Sequence, residues 1–383
     1  ALAARDQEVL AEQSFATLIL DEAQAIKNPD TRRARAIHSL KAEFTVVLTG
    51  TPIENRIADL WSIFAAATPG LLGTREQFRK HFVLPPQRHP GSTRVTREAL
   101  ARSIRPFLLR RTKEEVAPEL PPRTSTVLHV SLSLAERKLY NEMRSAAVAG
   151  LRNQAAEDNG EVRRFQVLAA LTRLRQLACH PRLVDPASTL TSSKLLMLRG
   201  LLHELEEQGH RALVFSQFTS HLELAREMLD GVGISYRYLD GSLSEPRRRM
   251  EVDAFQAGEG SVFLISLRAG GTGLNLTGAS YVIHLDPWWN PAVEDQAADR
   301  AHRIGQTQPV TIYRLVAKDT IEEAIVSLQE KKRELIASML DGSHQSAAMS
   351  LDELLELLSS HPPLAMDDSE PIDLMESEDD DAW

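Results

Sequence analysis

The chain has 383 residues, 43% hydrophobic and 25% charged, which is enough for two domains with substantial cores. No apolar run approaches the ~18 residues of a membrane-spanning helix, and the single cysteine excludes an internal disulfide or a cysteine-rich zinc site. The net charge of −9 sits in one place: residues 366–383 carry nine acids and no Lys or Arg, so the rest of the chain is neutral.

The first ten residues read as the middle of a helix. Ala16–Leu20 follows as an apolar strand ending at Asp21-Glu22-Ala23-Gln24. Adjacent carboxylates after a strand suit nucleotide hydrolysis, where the first holds Mg2+ and the second orients or deprotonates the attacking water. The same pair equally suits the start of a helix. A second strand, Thr45–Leu48, runs into Thr49-Gly50-Thr51-Pro52. Its small hydroxyl residues can sense a phosphate or a neighbouring carboxylate, or form an ordinary turn with proline near a helix start.

Gln77–Thr124 is broken by prolines and rich in arginine. From Arg75 to Arg123 there are twelve Lys/Arg and five acids, a pattern suited to sequence-blind binding of duplex phosphates or to plain solvated faces. Ser133–Arg182 reads as mostly helical and ends in Cys179-His180, whose adjacency matches neither a metal site nor a nucleophile and base; a buried structural thiol is expected. Pro181, Pro186 and the Ser/Thr-rich Ser188–Ser193 mark a boundary.

Beyond it, helical periods (Lys194–Glu207, His221–Leu229) alternate with strands (Leu213–Ser216, Val262–Ser266, Val282–Leu285, Thr311–Leu315). Such alternation predicts α/β domains with parallel sheets that bind ligands at the strands' carboxyl ends. After Ser266 comes Leu267-Arg268-Ala269-Gly270-Gly271-Thr272-Gly273-Leu274-Asn275, whose glycines let backbone N–H groups approach an anion, or simply make a tight turn. Trp288 and Trp289 are expected to pack inward. In Gln296-Ala297-Ala298-Asp299-Arg300-Ala301-His302-Arg303 the two arginines are three apart, so a continuing helix projects both from one face. Paired guanidiniums suit a γ-phosphate gaining charge; a solvated face paired with Glu294 and Asp299 is the alternative. Leu351–Leu358 reads as a short helix ahead of the acidic tail, which reads as disordered.

In this order and at these distances, the four segments resemble motifs II, III, V and VI of superfamily two helicases, specifically the Swi/Snf-type DNA translocases of the bacterial and archaeal branch. Further stretches agree: Phe107-Leu108-Leu109-Arg110-Arg111-Thr112-Lys113, Leu174-Arg175-Gln176-Leu177-Ala178-Cys179-His180-Pro181, Val214-Phe215-Ser216-Gln217-Phe218 and Asp286-Pro287-Trp288-Trp289-Asn290-Pro291. The resemblance implies two RecA-like lobes with helical insertions and ATP between them. Asp21 (through Mg2+), Glu22, Arg300 and Arg303 would be catalytic. Gln24, Thr49, Gly50, Thr51, Gly271, Thr272, Gly273, Asn275 and Gln296 would bind or couple to the nucleotide, and Arg110, Arg111, Lys113, Gln217 and Thr219 would contact DNA. It also implies double-stranded DNA as partner, a DNA-bound protein complex as client, and a cytoplasmic, nucleoid-associated location.

The boundaries expected are 1–130 for the end of a first lobe with its basic insertion, 131–190 for a helical insertion, 191–345 for a second lobe, 346–365 for a C-terminal helix, and 366–383 for the tail. The family's Gly-x-x-x-x-Gly-Lys-Thr loop does not occur in these 383 residues. The chain is therefore expected to be truncated ahead of that loop, with an incomplete first lobe and no ATP turnover by itself. A non-catalytic DNA- or partner-binding module is the competing expectation.

Overall fold

Short β-branched and apolar runs form two separate parallel sheets in the computed structural model, which describes residues 2–50, 57–83, 99–153, 160–270, 273–340 and 355. Thr51, Gly271, Thr272, the acidic tail and all of the expected C-terminal helix except Leu355 lie outside the described residues. The first sheet pairs β1 (Ser14–Leu20) with β2 (Lys41–Val47). Between them runs α1 (Arg32–His38), started by Thr31, whose hydroxyl accepts the Ala34 N–H at 3.2 Å. The next helix, α2 (Ile57–Ala67), buries Leu60 and Phe64 against Phe78 and Leu100.

The second sheet has six strands. They are β3 (Arg123–Val130), β4 (Ala212–Ser216), β5 (Tyr236–Leu239), β6 (Val262–Ser266), β7 (Tyr281–His284) and β8 (Val310–Ala317). Their order is β3-β8-β7-β4-β6-β5, every neighbouring pair parallel. Alternate residues feed two cores. Val214 and Leu264 face one side with the Leu195/Leu198/Leu202/Leu205 stripe of α5 (Ser193–Glu207), whereas Leu213, Phe215 and Phe263 face the other with Phe255 and Ala297. All five residues of β4 and of β6 are buried, as a sheet covered on both faces requires. The α/β class with parallel sheets is as expected.

One boundary moves. Residues 123–130 were expected with the first region, but β3 pairs residue for residue with β8 from Arg123↔Val310 to Val130↔Ala317 and so belongs to the second sheet. Its Arg-Thr-Ser-Thr start shows little apolar periodicity, because an edge strand is half solvated. The long α3 (Leu134–Asn153) and α4 (Gly160–Cys179) pack through Tyr140, Leu171 and Leu174 onto Ile321 and Ile325 of the C-terminal α9 (Ile321–Leu340), where Leu355 also rests. The Tyr140 hydroxyl accepts the Ile321 N–H at 2.8 Å. The labels α6 (Thr219–Val232), α7 (Glu245–Gln256) and α8 (Pro291–Ala298) complete the helices used below.

His180 follows α4 with a ring nitrogen committed as an acceptor: Nδ1 takes the Arg182 N–H at 3.0 Å. Burial, then the neighbouring His221 and Arg182, push its pKa down to about 4. A histidine depressed on folding stabilises above its unfolded value of ~6.5, and that contribution is lost as pH falls from there through 4. Urea stability is therefore expected to drop across this window by up to about 1.4 kcal/mol per pH unit, and His180→Gln to flatten the slope. An identical slope in the variant assigns the acid sensitivity elsewhere.

Candidate active site

The carboxyl ends of β1 and β2 are locked together, Leu48 N–H donating to Leu20 O at 2.8 Å and Ala23 N–H to Leu48 O at 3.0 Å. Asp21 stands exposed at that edge, one carboxylate oxygen taking the Glu22 N–H at 2.8 Å. Glu22 adopts the left-handed conformation, φ 49° and ψ 48°, which costs a non-glycine residue about 1–3 kcal/mol and concentrates at functional sites. Both its oxygens are held by amides. Gln24 Nε2 donates to one at 2.5 Å, while Thr49 Oγ1 at the end of β2 anchors the Gln24 carbonyl at 2.8 Å. The second oxygen receives Gln296 Nε2 at 3.1 Å, from 274 residues along the chain. Gly50 is exposed, with open space where a Cβ would lie.

Gln296 sits on α8, which Asn290 caps by accepting the Ala292 N–H at 3.2 Å. The helix stops at Ala298, so the expectation that Arg300 and Arg303 share a helix face is overturned; both stand on the turns that follow. Competing hydrogen bonds are the reason. Gln306 Nε2 donates to the carbonyls of Ala301, Thr277 and Ala279 at 2.9–3.1 Å, curling the backbone back over the sheet, and Gly305 supplies φ 101°. Arg300 is buried. Its guanidinium pKa is lowered by that burial and by Arg303, while the Glu22 carboxylate opposes the shift from across the gap. Arg303 is exposed and bonds Leu274 O through Nη1 at 3.3 Å, and Leu276 N–H donates to Arg300 O at 2.9 Å. The glycine-rich loop and the arginine turn are thus stitched together. Gly273 in that loop has φ 50°, and Asn275 is exposed.

Of the residues expected on DNA, Arg110 and Arg111 project into solvent, and Thr219 is exposed at the first position of α6. Gln217 is half buried, its backbone N–H donating to Asp286 at 3.3 Å. Lys113 is engaged elsewhere: Nζ lies 2.7 Å from Asp299 and donates to His302 O at 2.9 Å, bracing the arginine turn. Arg123 completes that brace on Asp299 and Asp295, both at 3.0 Å. Its role was not legible beforehand; the one available signal was the four-residue spacing of the two acids. Trp288 and Trp289 pack as expected, each ring 5.4 Å from the Arg175 guanidinium.

Two family models match the chain: the SNF2-related domain over residues 2–183 and the helicase conserved C-terminal domain over residues 193–305. The Sulfolobus solfataricus SWI2/SNF2 ATPase core domain superposes with a TM-score of 0.50 at 32% identity, over 91% of this chain and 72% of that one.

This chain belongs to the SNF2 family.

Among curated relatives, the SNF2 chain is 38% identical over 362 residues to the putative ATP-dependent helicase/translocase YwqA of Bacillus subtilis, and 32% identical over 371 residues to the human SWI/SNF-related matrix-associated actin-dependent regulator of chromatin subfamily A member 1. Each match spans 92% of this chain but only 39% and 35% of the relative. The Swi/Snf-type resemblance and the RecA-like α/β architecture both hold. In this SNF2 chain the Glu22–Gln296 bond joins the segment after β1 to the helix ahead of the arginine turn.

Proposed function

We propose that this SNF2-family chain supplies the acid side and the arginine side of an ATP-driven engine that moves along double-stranded DNA. One observation carries the reading: Glu22, strained into αL, is gripped by Gln24 from its own side and by Gln296 from the other, beside a buried arginine. Glu22 orients the attacking water, and its amide partners hold the carboxylate aimed. The exposed Asp21 carboxylate fits a water-mediated hold on Mg2+, an ion that neutralises phosphate oxygens when bound. Arg300 and Arg303 stabilise charge that develops on the transferred phosphoryl group. Arg110, Arg111 and Thr219 present donors to duplex phosphates, a grip without base reading. The client is a DNA-bound protein complex, met in the nucleoid of the cytoplasm.

A second reading is a non-catalytic DNA- or partner-binding module that grips phosphates through the exposed Arg110, Arg111 and Thr219 without turnover. ATP hydrolysis measured with and without duplex DNA separates the two. The chain alone is expected to be silent. The chain fused behind a segment that carries a Gly-x-x-x-x-Gly-Lys-Thr loop is expected to hydrolyse ATP on DNA, and Glu22→Gln to cut that rate by about 10²–10⁴. A folded but silent fusion supports the module.

A further inference from the structure

Three buried side chains converge beneath the turn that carries Gln217 and Thr219. Cys179 ends α4, His221 lies in the first turn of α6, and Asp286 follows β7. None is more than 3% exposed, and Sγ, a ring nitrogen and a carboxylate oxygen all lie within 4.8 Å of one another. Among the described residues neither ring nitrogen of His221 has a partner within hydrogen-bond distance, although both are buried. Its Nδ1 is 4.0 Å from Asp286 Oδ1, too long for a hydrogen bond. That spacing instead suits two ligands of one ion. Bond lengths of ~2.0–2.3 Å around a tetrahedral ion put donors about 3.4–3.6 Å apart, within reach of small rotamer changes.

We propose that Cys179, His221 and Asp286 form a structural site for one zinc-class divalent cation. A thiolate, an imidazole and a carboxylate are the mixed donor set such ions take, and a water can fill the fourth position. On binding, one bond forms from each donor to the metal, and the S–H bond breaks with its proton released to solvent. Thiolate and carboxylate then balance the ion's two charges, so the cluster passes from −1, carried by the Asp286 carboxylate, to neutral, and the Lys194–Glu322 pair keeps its own mutual partners. The Cys179 thiol lies 3.7 Å from Glu322 Oε1, but that carboxylate keeps Lys194 and the Ala317 N–H when the proton leaves. The ion pins the start of α6 to the loop holding Asp286, which already takes the Ser216 hydroxyl and the Gln217 N–H. The site is independent of nucleotide, so it stands or falls apart from the engine proposed above.

The test is elemental analysis of the whole chain produced in zinc-supplemented medium and dialysed against a weak chelator. About one zinc per chain is expected, dropping to background in Cys179→Ser and His221→Ala with the circular dichroism of the parent retained. Cobalt-loaded protein is expected to show a thiolate-to-cobalt charge-transfer band that Cys179→Ser removes. Folded wild-type protein with only trace zinc, or variants that keep the parent's zinc, overturns the site. Should both variants fail to fold, the wild-type cobalt spectrum decides: no thiolate band, no site.

Discussion

Alanine at Arg300 or Arg303 is expected to lower DNA-stimulated ATP turnover of the phosphate-loop fusion by about 10³–10⁵, equivalent to roughly 4–7 kcal/mol of barrier. On the proposed reading the effect is this large because both guanidiniums would act on charge that exists only in the transition state. Arg300 is already out of water and facing Glu22, so its charge is poorly screened. Arg303 is tethered to Leu274 O by one 3.3 Å bond and can leave it to meet substrate. Lysine at either position is expected to fail nearly as badly, since an ammonium lacks the planar fork. Nucleotide affinity should change far less than the single-turnover rate. A loss under about tenfold at both positions, in protein with the parent's urea midpoint, contradicts the assignment of these side chains to phosphoryl transfer.

Lys194→Met is expected to destabilise the second sheet by about 3–5 kcal/mol, read from urea unfolding. Lys194 and Glu322 are both buried, at 0% and 1% side-chain exposure, with Nζ donating to Glu322 and to Leu285 O at 2.8 Å. Burial alone would lower the lysine pKa, but Glu322, Cys179 and Asp286 together outweigh it and the value is raised. A raised lysine stabilises at every pH below its unfolded value of ~10.4, so the pair is fully present at neutrality. Removing the lysine strands a carboxylate that bridges the end of β8, through the Ala317 N–H, to the first turn of α9. Replacing both partners, Lys194→Met with Glu322→Leu, is expected to recover most of the loss, because no charge is left unpaired. A single variant within 1 kcal/mol of the parent, or a double variant weaker than the single, would show that the pair is not what holds this corner.

Much of the site was legible in order along the chain. Asp21, Glu22, Gln24 and Thr49 follow strands whose apolar pattern is plain, Gln296 lies on α8, and the two arginines follow that helix. Strand limits were less legible: β2 begins at Lys41, four residues ahead of the apolar run, because its first half is only partly covered. Local pattern reports which face of a segment is apolar; it does not report what that face or a charged tip will meet.

The sequence by itself determined the α/β class, the inward packing of Trp288 and Trp289, and the identities of the acids and arginines, since each depends on residues close together in the chain. Only the tertiary structure decided that β3 joins β8, that the helix breaks before Arg300, that Lys113 and Arg123 brace the arginine turn, and that Cys179 meets His221 and Asp286. Those outcomes turn on partners such as Arg123 and Asp299, 176 residues apart, whose meeting is set by sheet order and by competition for hydrogen bonds.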